Sequence, residues 1–154
     1  MKLRIAAVGR VKEPHWRAAC DEYLKRLRPY ATVEVCEVTD RDIGPDPVKA
    51  MSAEGADLLR AVPADSYVIA LDVQGRETTS EDLAAHLAEL MVRGRSDITF
   101  LVGGSAGLAP AATERADERL ALSRMTLPHQ LARVVLLEQL YRAFRIMRNE
   151  PYHL

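Results

Sequence analysis

Apolar runs alternate with amphipathic stretches along the whole chain. Leu3 to Val8 is a compact apolar run closed by Gly9, which predicts a buried strand. Trp16, Ala19, Cys20, Tyr23, Leu24 and Leu27 then recur at helical spacing, between a Pro14 suited to a first turn and a terminating Pro29. Val33 to Val38 predicts a second strand, with Glu34 and Glu37 marking a wetter face. Asp40 to Pro47 is a loop by composition, and a second helix follows to about Ala61, closed by Pro63. Tyr67 to Val73 predicts a third strand, apolar enough to be central, with Gln74-Gly75-Arg76 expected to break it. The next helix has Ser80 as its expected cap and Leu83, Leu87, Leu90 and Met91 facing inward, and it stops at Gly94. Ile98 to Val102 predicts a fourth strand, followed directly by the glycine-rich loop Gly103 to Leu108. Pro110 opens a short helix to about Arg119, and Leu120 to Met125 predicts the fifth strand. A long apolar helix is expected from Pro128, as its first residue, to about Asn149.

Strands alternating with helices predict an α/β fold, a mostly parallel sheet covered by helices on both faces. No internal repeat, low-complexity segment or linker interrupts the pattern, so residues 1–154 are expected to form a single domain. The length of 154 residues and the 48% of apolar residues suffice for a real core. Cys20 and Cys36 are too few for a disulfide framework and do not form a CxxC motif, so reduced thiols and a cytoplasmic location are expected. The first apolar run is too short for a signal peptide, and no stretch approaches a membrane span.

Net charge is −1, but its distribution is uneven. Residues 1–28 carry eight Lys/Arg against three Asp/Glu, residues 29–123 carry eight against seventeen, and residues 124–154 carry five against two. Two basic ends meeting in space would form a local positive patch on a near-neutral protein. Merely uneven surface charge is the plainer alternative.

In open α/β sheets, ligands bind at the carboxyl ends of strands. Three such ends carry suggestive residues: Leu71-Asp72 with Gly75, the Gly103–Leu108 loop, and Leu122 to Leu127. The loop GGSAGL lets backbone approach a ligand, but it matches neither GxGxxG nor GxxxxGK[ST]. Ser123 and Thr126 offer hydroxyls, and His129 is expected simply to start a helix. On the last helix Leu131, Val134, Val135, Leu137, Leu140, Tyr141, Phe144 and Met147 form a wide apolar surface, to be buried within the fold or against another chain. Glu138 and Arg142 are spaced to pair, and Arg133, Arg142, Arg145 and Arg148 are candidate phosphate ligands. The tail Pro151-Tyr152-His153-Leu154 ends in groups able to stack and titrate. No metal-ligand cluster is expected, because His15, His86, His129 and His153 are scattered.

The segments LDVQGRETTSEDLA, FLVGGSAGL and TLPHQLARVVLLEQLYRA, ending in PYH, resemble the ribosomal RNA large subunit methyltransferase H family of the SPOUT class. The resemblance spans the chain. It implies an α/β domain whose C-terminal segment forms a deep trefoil knot, although knots are rare exceptions among folds. It further implies an S-adenosylmethionine pocket at Leu71, Gly103 and Leu122, Ser123, Arg124, Met125, Thr126 and Leu127. A homodimer through the last helix is implied too. The implied substrate is 23S rRNA in the assembled ribosome, methylated at N3 of pseudouridine 1915. In that reaction His153 would serve as base or proton relay, Tyr152 would stack on or orient the target, and Arg142 would steady the N3 anion or a nearby phosphate. Two positions depart from the family pattern. Ser105-Ala106 replaces a usual Pro-Glu, and Leu154 replaces a usual basic residue. The missing carboxylate leaves open an alternative: a non-catalytic ribosome-binding factor that retains the fold. A small nucleotide-binding domain acting on a metabolite lacks both phosphate-loop patterns.

Overall fold

The computed structural model describes residues 1–42 and 44–152. Five strands and five helices alternate: β1 (Lys2–Val8), α1 (Pro14–Leu27), β2 (Thr32–Val38), α2 (Pro47–Arg60), β3 (Tyr67–Glu77), α3 (Ser80–Val92), β4 (Asp97–Val102), α4 (Pro110–Arg115), β5 (Glu118–Ala121) and α5 (His129–Met147). The sheet order is β2-β1-β4-β3-β5, and every adjacent pair is parallel. The expected α/β class with helices on both faces is what forms.

The period-two alternation of each strand sorts its residues between two cores. Leu3, Ile5, Ile69, Ile98 and Phe100 pack with α1, α3 and α5 on one face. Ala6, Val8, Val68, Ala70 and Leu101 face the other way, toward Leu58 of α2 and Ala112 of α4. The first face carries the larger side chains and supports three helices. On the second face α2 approaches α4 so closely that a Cβ on Gly55 would lie 2.6 Å from the Ala109 Cβ. Of the apolar stripe of α5, Leu137, Leu140 and Phe144 are buried, together with Leu136 and Ala143. Tyr141, Val134 and Met147 pack partly exposed against the same core.

Several boundaries differ from the expectations. The fifth strand lies earlier, at Glu118–Ala121, and α4 ends at Arg115. Asp117 redirects the chain: its carboxylate accepts from Val68 N at 2.8 Å, and its own N–H donates to Val68 O at 2.8 Å. Docking onto β3 therefore starts before the apolar run does. β3 does not stop at Val73 but runs to Glu77, and both Leu71 and Arg76 align with Leu120. Residues 72–75 form an excursion between those two pairings. α3 is capped by Thr79, whose side chain accepts from Asp82 N, while the Ser80 hydroxyl donates to Gln139 Oε1 at 2.6 Å. α5 begins at His129 with Pro128 as cap, and the left-handed Asn149 (φ 53°) lies beyond its end.

The excursion brings Gly75 against β5. A Cβ there would lie 2.7 Å from Arg119 C and from Leu120 N, and both are backbone atoms that cannot swing aside. Gly75→Ala should therefore cost on the order of 2–3 kcal/mol. A urea midpoint equal to that of the parent chain would show that this crossing is looser than its geometry.

A cavity at three strand ends as the candidate cofactor site

The carboxyl ends of β3, β4 and β5 open together into a cavity of about 760 Å³. That size is ordinary for a small-molecule site. Leu71 and Asp72 enter from β3. Val102 and the Gly103–Leu108 loop enter from β4. Leu122, Ser123 and Met125 to Leu127 follow β5, and His129 and Ala132 come from the first turn of α5. Seven of the eight residues expected at a cofactor site line it: Leu71, Gly103, Leu122, Ser123, Met125, Thr126 and Leu127. Arg124 does not. Its side chain is exposed and turned outward, where it pairs with Glu77 of β3 at 3.2 Å.

The glycine loop is folded back on itself. Gly107 N donates to Gly104 O at 3.0 Å, and Gly107 has φ +85°. A Cβ on Gly103 would lie 2.6 Å from Gly107 C, so the position admits no side chain. Beneath the loop sits Glu54 of α2, a residue that no local sequence motif marks. It is buried, and its Oε2 would lie 3.3 Å from a Cβ on Gly104. Burial pushes its carboxyl above the usual range, against the lowering effect of the hydrogen bond from Arg41 N. Thr113 and Ala132 also line the cavity. No local signal marked either one, since each reaches the site only through helix placement.

Asp72 is the single carboxylate among the described lining residues. Its Oδ1 accepts from Gln74 N at 2.9 Å and its Oδ2 faces Arg119 at 3.4 Å. Ser123 Oγ accepts from Met125 N at 2.9 Å, which holds the turn before α5. Walls of Leu71, Val102, Leu108, Leu122 and Leu127 suit a flat apolar ring, and exposed backbone groups suit its polar edges. Among the described residues, no group of His, Cys, Asp and Glu could hold a metal ion.

The tail group lies elsewhere. Arg142 donates through Nε and Nη2 to Glu138 Oε1, at 3.0 and 2.7 Å, and its guanidinium lies 4.0 Å from the Tyr152 ring centroid. The Tyr152 hydroxyl donates to the same oxygen at 2.7 Å, while Tyr141 meets its ring edge-on. Glu150 and Pro151 are held by Arg145, and Tyr30 donates to Glu150 Oε2 at 2.5 Å. This clamp joins residues 120 positions apart, beyond the reach of any local pattern. Ala132 and Arg142 are separated by roughly 15 Å of helix, so Arg142 and the Tyr152 that packs on it lie away from the cavity within one chain. His153 and Leu154 lie outside the described residues.

Burial, and then the hydrogen bond to Glu138, raise the ionisation of Tyr152 above its ordinary range. An unfolded tyrosine ionises near pH ~10. The contact therefore contributes fully to stability below that pH, and the contribution is lost as pH rises above it. Glu138→Gln should lower the Tyr152 titration midpoint, read by ultraviolet difference absorbance against Tyr152→Phe. An unchanged midpoint would discount the bond.

A family model described as "Predicted SPOUT methyltransferase" matches residues 1–153. Ribosomal RNA large subunit methyltransferase H of Halothermothrix orenii is 48% identical, and the alignment covers 99% of each chain. The protein of that name from Listeria monocytogenes (strain EGD-e) is 46% identical with the same coverage. The solved structure of tRNA (m1G37) methyltransferase from Aquifex aeolicus superposes with a TM-score of 0.58 at 16% identity, covering 100% of this chain and 75% of that one. At that identity the likeness is one of fold. With its parallel sheet, strand-end cavity and end-to-end relatives, this chain belongs to the ribosomal RNA large subunit methyltransferase H family of SPOUT methyltransferases.

Proposed function

We propose that the chain is an S-adenosylmethionine-dependent methyltransferase of 23S rRNA, acting at N3 of pseudouridine 1915 in the assembled ribosome. The observation that carries this reading is the cavity formed by three strand ends in a chain nearly half identical to proteins named for rRNA methylation. We take residues 1–154 as one domain, working in the cytoplasm. The excursion of residues 72–75 against the β5 backbone supports a threaded, knotted C-terminal segment.

The cofactor supplies an activated methyl group when bound. The cavity residues suit it: apolar walls for the adenine, the Gly103–Gly107 backbone for close approach, and Asp72 for hydroxyl or cationic groups. The remaining requirements are alignment of the acceptor nitrogen and removal of its proton. Tyr152 holds its proton more tightly than an ordinary tyrosine, so it serves as a donor and stacking surface and leaves the base role to His153. Arg142 keeps Nη1 without a partner among the described residues, with its other edge fixed by Glu138, and that nitrogen can steady an anion. Because Arg142 and Tyr152 lie apart from the cavity within one chain, a homodimer in which the partner's tail completes each site accounts for both. The exposed apolar Met125 and Val73 at the cavity wall are the surface such a partner would cover.

Incubation with labelled cofactor and ribosomes lacking this methyl group should transfer label to the one pseudouridine, located by mapping the modified base. Arg142→Ala should lower turnover about a hundredfold with little change in cofactor affinity. Loss of cofactor binding with retained turnover would remove its assigned role. Absence of any cofactor binding by calorimetry at millimolar concentration would favour instead a ribosome-binding factor without turnover.

A further inference from the structure

A second cavity, of about 380 Å³, opens at the carboxyl ends of β1 and β2, between α1 and α5. Arg10 and Lys12 reach it from the loop after β1, and Arg17 from the first turns of α1. All three are exposed, and none of their side chains has a carboxylate partner among the described residues. Arg133 of α5 joins them. Its side chain is only 7% exposed, and its Nη1 alone donates to Gly9 O at 3.0 Å and to Glu37 Oε2 at 2.8 Å. Its Nε and Nη2 have no partner among the described residues, yet no buried side-chain nitrogen there lacks one. Those two donors therefore open onto the cavity that Arg133 lines. Four cationic side chains thus face two carboxylates, Asp21 and Glu37, and Arg133 already neutralises Glu37.

The two basic ends of the sequence meet here, through Arg10, Lys12 and Arg17 from one and Arg133 from the other. The cavity is also next to the cofactor site. Ala132 lines the first cavity and Arg133 the second, and successive residues of a helix point about 100° apart. Lys12 N donates to Gln130 Oε1 at 3.2 Å, which ties the basic loop to the same turn of α5. A buried guanidinium with two free donors, ringed by solvated cations, is suited to an anion with several acceptor oxygens.

We propose that this second cavity is an RNA backbone site, taking a phosphodiester of the strand that carries the target nucleotide. The inference rests on the rRNA reading above and deepens it. Arg133 supplies a fixed, desolvated contact, and Arg10, Lys12 and Arg17 supply the longer-range attraction. Together they hold the strand across the first turns of α5, so that a nucleotide extruded from it reaches the neighbouring cavity.

The test uses the whole protein with ribosomes lacking the methyl group and the triple variant Arg10→Ala, Lys12→Ala, Arg17→Ala, whose positions are exposed and leave the core intact. The KM for ribosomes should rise tenfold or more, on the order expected for lost phosphate contacts. The slope of log KM against log salt should fall by about two to three. Cofactor affinity by calorimetry should not change, and Arg93→Ala, which removes an exposed cation just beyond α3, should behave as the parent. An unchanged KM and salt slope, with the parent chain active, would overturn the proposal while leaving the rRNA reading intact. Conversion to monomers in light scattering with an unchanged salt slope would also overturn it, by assigning the cavity to a contact between copies. A parent chain that methylates no ribosomes would remove the rRNA reading and this proposal with it.

Discussion

The contact on which the site depends is the passage of Gly75 over the backbone of Arg119 and Leu120. Two strands pair conventionally at Leu71 and Leu120, separate for four residues, and pair again at Arg76. Only a residue without a Cβ fits the crossing. The excursion turns Asp72 and Val73 into a cavity wall, when a continuous strand would have carried them past it. β5 can be as short as four residues because it is gripped on both sides of the excursion. Main chain at the crossing cannot swing away as a side chain would, which fixes this part of the cavity rim.

α5 is the second common element. Its buried stripe seats it on the larger-residue face of the sheet, between α1 and α3. Its first turns separate the two cavities, and its later turns hold the tail through Glu138, Tyr141, Arg142 and Arg145. Shifts of α5 along the sheet would therefore change the first cavity, the Arg133 contacts and the Tyr152 contacts together. The opposite end of the sheet is closed by polar groups: Arg4 bonds Glu34, Asp97 and Thr99, and Ser66 bonds Asp97 and Thr99. Buried cations survive there, as at Arg133, only because carboxylates and carbonyls meet them. That asymmetry leaves the carboxyl ends of the strands as the open, ligand-facing side.

The sequence by itself determined the alternation of strands and helices, because strand and helix periods differ and each element must bury one side. It also determined the three strand ends that form the first cavity, since Leu71-Asp72, the Gly103 loop and Leu122 to Leu127 are local motifs at predicted ends. It did not determine where β5 starts, because the cue is Asp117 bonding Val68, a pairing with a residue far away in the chain. It could not turn Arg124 away from the cavity or Thr113 into it, since those depend on the side a backbone presents after docking. Tertiary structure alone decided that the two basic ends meet around Arg133 and that Tyr30 clamps Glu150. Charge and aromaticity are legible residue by residue, whereas the distance between residues far apart in the chain is set only when the sheet and α5 close on one another.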